Sequence, residues 1–311
     1  MRLPMCNTAR GAAIVMAMLL AALVATIAAA LLWQQQSWIS EHARRRDQVQ
    51  AQALAMAGVQ WARQIVNENA PAGGTVHLGQ PWALTLPAMP LENGSVAGAI
   101  VDAQSRLNVN DLGPGPAALG AVTGALQRLF TVLALPQPLL SAITDWIDVD
   151  DRITVPGGAE DAWYSSQARA GLTANQPIRR VAELLAVRGD DLSTFARLRP
   201  YVHALDAPTK TNVNTAPAEV LMALVAGLDP TGAATLIAGR AQKPFASIAD
   251  FRERLPRPDL NVDETLIDVR SDWFEVTIDA RQGDTRARAR ALLKRSTVAN
   301  EWPIVVWQVV E

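Results

Sequence analysis

The N-terminal region constrains the fold most, because it contains a long apolar segment without charge. Residues 12–33 (AAIVMAMLLAALVATIAAALLW) include no charged side chain, and Thr26 is their only polar residue. At 1.5 Å per residue, a helix over this segment is about 33 Å long, enough to cross the hydrocarbon core of a bilayer. A cleaved signal peptide has a shorter apolar region followed by small residues, whereas Gln34–Gln36 follow here. The sequence therefore predicts a transmembrane helix.

The helix is predicted to continue beyond the membrane as an amphipathic segment over residues 34–70. No proline lies between Gln34 and Asn67, and the first residue expected to end the helix is Pro71, followed by Gly73 and Gly74. Apolar residues recur every three or four positions, which places them on one face of a helix: Ala51, Leu54, Gly58, Trp61 and Ile65. We therefore predict one rod, half of it in lipid and half packed against a folded domain.

Composition excludes several classes of function. The chain has 28 Lys and Arg against 30 Asp and Glu, a formal net charge of −2, which argues against bulk binding of nucleic acid. Its single cysteine, Cys6, excludes an internal disulfide or a cysteine zinc site. The three histidines are far apart in sequence, and no nucleophile is paired with a base. We predict that the protein is not an enzyme; the alternative, a membrane-tethered hydrolase, lacks these catalytic pairs.

The remaining chain is predicted to be an α+β fold. Alternating apolar residues and turn residues indicate short strands at 75–86, 95–102, 272–280, 285–293 and 303–310. Residues 108–268 between them are mainly helical. In the strand at 285–293, Arg286, Arg288 and Arg290 alternate with alanines, which predicts a half-buried strand with a solvated basic face. Strands, a helical block and strands again fit a sheet domain with an all-helical insertion.

An acidic loop in the helical block is the best candidate for a metal site. Its carboxylates surround a Pro156–Gly157–Gly158 turn: Asp145, Asp148, Asp150 and Asp151 precede it, and Glu160 and Asp161 follow. Carboxylates on a flexible loop suit Ca²⁺, although the glycine and the twelfth-position glutamate of an EF-hand are missing. The alternative is a solvated turn in which Asp145 points elsewhere and Glu160 or Asp161 caps a helix.

A second helical segment, residues 211–251, is similar to the helix-hairpin-helix units of DNA-binding proteins. Its turn contains Asp229 and Pro230, which would repel phosphate and lack an N–H group respectively. DNA binding is therefore not expected. Two Asn-x-Asn sequences are predicted to form turns and helix caps, with a ligand role conceivable only for Asn108: Asn108 with Asn110, and Asn212 with Asn214.

The N-terminus resembles that of type IV pilin-like proteins. A short basic leader ends in Gly11 and is followed by the uninterrupted apolar helix. The resemblance implies that a prepilin peptidase cuts after Gly11 and methylates the new N-terminus, Ala12. The fifth residue of the mature chain, usually Glu in this class, is Met16 here. That Glu is understood as a partner for the amine of a neighbouring subunit, which a subunit at the filament tip would not need.

One family in this class lacks the Glu, the minor pseudopilin K of the type II secretion system (general secretion pathway protein K). Four segments of the chain resemble it: DAQSRLNVNDL at 102–112, ITDWIDVDDRITVPGGAEDAWY at 143–164, TNVNTAPAEVLMAL at 211–224 and KPFASIADF at 243–251. The resemblance implies a pilin-like α/β core that carries a helical α-domain. It also implies Ca²⁺ in that domain, for which we select Asp148, Asp150, Glu160 and Asp161.

The resemblance also divides the chain. It implies a leader at 1–11, a transmembrane helix at 12–33 and its amphipathic continuation at 34–70. The pseudopilin core would comprise 71–107 and 269–311, with an inserted α-domain at 108–268 made of two helical subunits, about 108–200 and 201–268.

The function implied is a pseudopilin that starts and caps the tip of a periplasmic pseudopilus, which drives export of folded proteins across the outer membrane. Its partners would be the I- and J-type minor pseudopilins, the major pseudopilin and the prepilin peptidase, with no nucleic acid. It would cross the Gram-negative inner membrane once, with a cytoplasmic N-terminus, although Arg2 and Arg10 oppose Arg44–Arg46 in the positive-inside rule. The alternative is a membrane-anchored DNA-binding competence protein that uses the hairpin.

Overall fold

The computed structural model describes residues 8–68, 74–113, 119–168, 170–296 and 301–311. It begins with α1 (Thr8–Glu68), one continuous helix that confirms the predicted rod. Within the described residues, α1 is the one helix long and apolar enough to cross a membrane, and its most apolar stretch has a mean hydropathy of 2.7 with none of it buried. Part of the predicted leader, residues 1–7, and the predicted break at Pro71 and Gly73 lie outside the described residues.

The other elements are shorter. The helices are α2 (Leu119–Val132), α3 (Gln137–Ile147), α4 (Asp161–Ser165), α5 (Leu192–Leu198), α6 (Ala218–Leu224), α7 (Pro230–Gln242) and α8 (Ile248–Glu253). The strands are β1 (Leu86–Leu91), β2 (Gly94–Asp102), β3 (Leu107–Asn108), β4 (Val202–His203), β5 (Thr211–Asn212), β6 (Val225–Ala226), β7 (Asn261–Val262), β8 (Ile267–Asp268), β9 (Trp273–Gln282), β10 (Thr285–Lys294) and β11 (Ile304–Val310). Short 3₁₀ turns lie at Pro81–Ala83, Ala103–Ser105, Val109–Leu112, Val181–Ala186 and Arg199–Tyr201.

Five strands form one antiparallel sheet in the order β1-β2-β9-β10-β11. The α+β class with a helical block between strands is confirmed. The predicted strand at 75–86 is wrong, because that segment contains the 3₁₀ turn Pro81–Ala83 and the strand starts only at Leu86. On β10, Ala287, Ala289 and Ala291 are buried while Arg286 and Arg288 are exposed, which confirms the predicted half-buried strand.

The second half of α1 packs on one face of the sheet through small side chains. Ala51, Ala55, Val59, Ala62 and Val66 are buried against apolar residues of β9 and β10. The predicted face is only partly correct: Ala51 and Gly58 are buried, but Trp61 is 44% exposed. The face is rotated because the helix lies close to the sheet, and a residue as large as tryptophan does not fit there. At Gly58, an added Cβ would lie 2.7 Å from Ile278 Cγ2.

The helical block is inserted at one end of the sheet. It begins after β2 and ends before β9, where Asp102 pairs with Phe274. Arg295, just beyond β10 at this end, donates a hydrogen bond to the carbonyl of Val66 in the last turns of α1. At the opposite end, the turn at Gly283 lies against Asp47. The insertion therefore leaves the sheet at the end farthest from the apolar part of α1.

The insertion has its own core, separate from that between α1 and the sheet. Its largest fully buried side chains include Phe130, Phe245 and Phe251. Three two-residue strand pairs tie distant parts of the chain together: β3 with β4 and β5 with β8 are parallel, and β6 with β7 is antiparallel. These pairs connect loops that local sequence patterns do not relate.

Candidate functional site

The acidic loop between α3 and α4 folds around the carboxylate of Asp145. Asp145 is fully buried on α3, and the backbone N–H of Thr154 donates to its Oδ1 at 3.1 Å and to its Oδ2 at 3.2 Å. A Cβ at position 158 would lie 2.1 Å from Asp145 Oδ2, so only Gly158 allows this approach. The alternative that Asp145 points away from the loop is therefore wrong.

Asp148 and Glu160 have buried carboxylate oxygens and lie close enough to Asp145 for its charge to act on them. Glu160 is 5% exposed; neither of its oxygens, nor Oδ1 of Asp148, has a hydrogen-bond partner among the described residues. Burial, and then the charges of Asp145 and Asp148, raise the pKa of Glu160 to about 7. Burial, and then Asp150 and Asp145, raise the pKa of Asp148 to about 6. No ion pair within the described ranges involves these carboxylates, so the loop concentrates uncompensated negative charge.

The other two predicted ligands are engaged differently. Asp161, at the start of α4, accepts hydrogen bonds at Oδ1 from the Thr173 N–H at 2.8 Å and from its Oγ1 at 2.6 Å, and these bonds lower the pKa of Asp161. Asp150 is exposed and accepts from the Arg152 N–H at 2.8 Å. Both therefore have an oxygen committed to loop structure, whereas Asp148 and Glu160 have oxygens without partners.

The donor set of the loop fits a hard cation. As the side chains stand, no three His, Cys, Asp or Glu residues of the described chain are spaced as a metal site. Buried carboxylate oxygens without hydrogen bonds, as in Glu160 and at Oδ1 of Asp148, are nevertheless costly unless a positive charge neutralises them. Oxygen ligands on an irregular loop are what Ca²⁺ accepts. Asp148 and Glu160 are the residues that could hold the ion, with Asp145 beside them.

A second polar centre joins the insertion to the sheet, and sequence reasoning missed it. Asp102, at the end of β2, is fully buried and accepts from the Gln104 N–H and from three side chains. Ser271 Oγ and Thr215 Oγ1 each lie 2.6 Å from its Oδ2, and Asn212 Nδ2 lies 3.0 Å away. Burial outweighs these bonds and raises the pKa of Asp102 to about 6. The sequence feature that could have pointed to this centre is Asp102 itself, which lies at the end of a predicted strand and in a segment that resembles the family.

The Asn-x-Asn sequences form turns and structural links. Oδ1 of Asn108 accepts from the N–H groups of Asn110 and Leu205, and its Nδ2 donates to Asp111 at 2.7 Å. Because its amide is fully used in this way, the ligand role considered for Asn108 is wrong. Asn214 similarly links to Phe245, donating to its carbonyl and accepting from its N–H.

The hairpin between α6 and α7 does not form a phosphate site. Gly227 has φ +80°, and Asp229 caps α7 by accepting from the Gly232 N–H at 2.7 Å. The carboxylate thus occupies the helix N-terminus, where a phosphate would bind in a DNA-binding hairpin. At the other end of the chain, Met16 is 62% exposed on α1 and is not covered by the rest of the protein.

Comparisons with known proteins agree with this arrangement. Two sequence models described as type II secretion system (T2SS), protein K match residues 105–208 and 211–270. The chain is 30% identical to type II secretion system protein K of Klebsiella pneumoniae over 305 residues, which covers 92% of each protein. It is also 30% identical to that of Aeromonas hydrophila, covering 94% of this chain and 95% of the relative.

Among solved structures, the chain is similar to a chain of the GspK–GspI–GspJ complex from the enterotoxigenic Escherichia coli type 2 secretion system. The TM-score is 0.74 at 24% identity, and the match covers 87% of this chain and 99% of that chain. At this identity the match establishes the shared fold.

Proposed function

This chain belongs to the type II secretion system protein K family, and we propose that it is a minor pseudopilin that starts and caps the tip of the pseudopilus. The observation that carries the proposal is the position of the insertion. It leaves the sheet at the end farthest from the apolar part of α1, next to Val66. In a filament built by head-to-tail contacts, the next subunit would occupy this end. A helical domain at this end is compatible with a subunit that has no other subunit above it.

The proposal includes the partners and the location. The match to a chain of the GspK–GspI–GspJ complex supports an assembly with the I- and J-type minor pseudopilins, which would in turn contact the major pseudopilin. We place α1 in the inner membrane, with the N-terminus in the cytoplasm and the sheet and insertion in the periplasm. The role is structural: the protein binds its partners and performs no reaction.

Deleting the protein should stop secretion and pseudopilus assembly, both restored by the wild-type chain. A gold label on the insertion should appear only at filament tips. Met16→Glu should leave secretion close to wild type, because no amine of a subunit above is present to pair with it. Labelling along the whole filament, or normal assembly without the protein, would contradict the tip position.

We propose processing by the prepilin peptidase, with cleavage after Gly11 and methylation of the Ala12 amine. Mass spectrometry of the protein from cells should give a chain that starts at methylated Ala12. Gly11→Leu should leave the leader attached, because the peptidase site requires a small residue. The matched control is Ala22→Leu, which makes the same change of a small residue deeper in the apolar segment and should be processed normally. A wild-type chain that retains Met1 where the peptidase is active would exclude this proposal.

We also propose that Asp148, Asp150, Glu160 and Asp161, together with Asp145, bind Ca²⁺ as a structural ion. The ion would supply the positive charge that the buried oxygens of Asp148 and Glu160 lack. It would stabilise the loop between α3 and α4 and have no catalytic role.

For the full chain in detergent micelles, the melting temperature in millimolar Ca²⁺ should be several degrees higher than the melting temperature in the presence of a chelator. A ligand at about 100 times its Kd stabilises by about 2.7 kcal/mol. The variant Asp148→Asn/Glu160→Gln should lose this increase and melt higher than wild type in the chelator, because it removes two carboxylates that neighbouring acids repel and whose buried oxygens have no partner among the described residues. The control Asp284→Asn, an exposed aspartate on the β9–β10 turn, should behave as wild type. An equal Ca²⁺ effect in the double variant would assign the ion elsewhere.

A further inference from the structure

A cleft of about 820 Å³ lies between the insertion and the face of the sheet opposite α1. One wall comes from residues 179–205 of the insertion, and the floor comes from β2, β9, β10 and β11. Its volume is within the range of about 300–1,000 Å³ that is typical of ligand sites. We call it the arginine cleft, after the residues described next.

Five arginines line the arginine cleft, with a single carboxylate: Arg106, Arg179, Arg180, Arg199 and Arg290, with Glu275. Two of them are paired, Arg106 with Glu275 at 3.1 Å and Arg290 with Glu311 at 2.8 Å. The guanidinium groups of Arg179, Arg180 and Arg199 form no ion pair with any described residue. In a chain of net charge −2, this local excess of positive charge favours an anionic ligand.

The cleft also presents apolar surface. Trp307 contributes to its floor, packed against the buried Leu292, and Phe195 lies on the wall. At the wall, Leu192 is 76% exposed. A ligand that covers these side chains as well as the arginines must carry apolar groups between its charges. Inorganic anions do not have this character.

The sheet edge beside the cleft is also suited to polypeptide. In the described part of the chain, β11 is an edge strand paired only with β10. From Ile304 to Val310 it has no charge, and two of its residues, Trp307 and Val309, line the cleft. Uncharged edge strands readily bind extended segments of other chains.

We propose that the arginine cleft binds an extended acidic segment of a partner protein, with its carboxylates on Arg179, Arg180 and Arg199 and its apolar side chains on Trp307 and Leu192. The proposal goes beyond the role in pseudopilus assembly and does not depend on it. Nucleic acid is less suitable, because Glu275 and Glu311 lie among the arginines and would repel a continuous phosphate backbone.

The test uses the full chain in detergent micelles and a fluorescein-labelled peptide of alternating Glu and Leu, eight residues long. Measured by fluorescence anisotropy, the Kd of this peptide should be lower by about tenfold or more than the Kd of the same peptide with Gln in place of Glu. A tenfold difference in Kd corresponds to about 1.4 kcal/mol of binding free energy. The preference should shrink as salt is raised, because exposed charges are screened beyond about 10 Å at 0.1 M. A Glu–Ser peptide should bind more weakly than the Glu–Leu peptide, since it lacks the apolar side chains.

Arg179→Gln/Arg180→Gln/Arg199→Gln should abolish the preference for the Glu peptide. The matched control is the triple variant Arg152→Gln/Arg270→Gln/Arg281→Gln, which removes the same amount of charge from exposed arginines outside the cleft. This control should still prefer the Glu peptide. These substitutions are at exposed positions, and equal melting temperatures of the two variants would establish that both are folded. The proposal is overturned if the Glu and Gln peptides bind equally, or if the cleft variant binds like wild type. Cleft-dependent binding of a single-stranded oligonucleotide in preference to the Glu peptide would also overturn it.

Discussion

Replacing Gly58 by leucine is expected to destabilise the protein by about 2 kcal/mol or more, since overpacked cores lose about 1–3 kcal/mol and sometimes more. Gly58 lies where α1 meets the sheet, and an added Cβ would be 2.7 Å from Ile278 Cγ2 and 3.1 Å from its Cγ1. Ile278 has no space to retreat, because its Cδ1 lies 2.7 Å from the place of a Cβ on Gly98 of β2. Thermal unfolding of the full chain in micelles should give a melting temperature lower by about 5 °C or more.

The matched control is Gly120→Leu on α2, where an added Cβ meets nothing within 4 Å. Leucine is favoured over glycine in a helix by about 1 kcal/mol, so this variant should melt at or above the wild-type temperature. Adding Ile278→Ala to Gly58→Leu should recover part of the loss, because the new side chain then occupies the vacated space. A Gly58→Leu protein as stable as wild type would mean that α1 does not pack closely on β9.

Asp102→Ala is expected to cost about 3 kcal/mol of unfolding free energy, because a buried donor without a partner costs about 1–3 kcal/mol. The change removes the acceptor for the Gln104 N–H, Ser271 Oγ, Thr215 Oγ1 and Asn212 Nδ2. These groups join the sheet to the insertion, so chemical denaturation should also become less cooperative. Asp284→Ala, at an exposed turn, is the control and should be neutral.

The pH dependence of Asp102 gives a second measurement. Its pKa rises from 3.8 to about 6 on folding, so between these values the folded state keeps a proton that the unfolded state releases. The contribution of Asp102 to the free energy of unfolding therefore falls by up to about 3 kcal/mol as the pH rises from about 4 to 6. Above that range its contribution is constant. Asp102→Asn, which cannot titrate, should remove this part of the dependence. Identical pH profiles for wild type and Asp102→Asn would contradict the burial of an ionisable carboxyl here.

The acidic loop shows which features of the candidate site could be predicted from local sequence and which could not. The clustering of acids around Pro156–Gly158 located the loop correctly, because a turn with many carboxylates has a local signature. It did not predict that Asp145, on the preceding helix, is the buried centre. That position depends on the contact between Gly158 and Asp145 Oδ2, which is made only when the loop folds back on α3. The same holds for the predicted calcium ligands, since the buried oxygens of Glu160 without partners among the described residues and the Thr173 bonds of Asp161 are tertiary features.

By itself, the sequence determined the continuous helix α1, the α+β class and the solvated basic face of β10, because uninterrupted hydropathy and alternation act along the chain. It also carried enough resemblance to identify the type II secretion system protein K family. Only the tertiary structure decided which face of α1 packs. Periodicity selects large apolar residues such as Trp61, whereas close contact with a sheet selects small ones such as Ala55 and Ala62. It alone brought Asp102, Asn212 and Ser271 together and formed the arginine cleft, because these residues are far apart in sequence and only packing of the insertion on the sheet makes them neighbours.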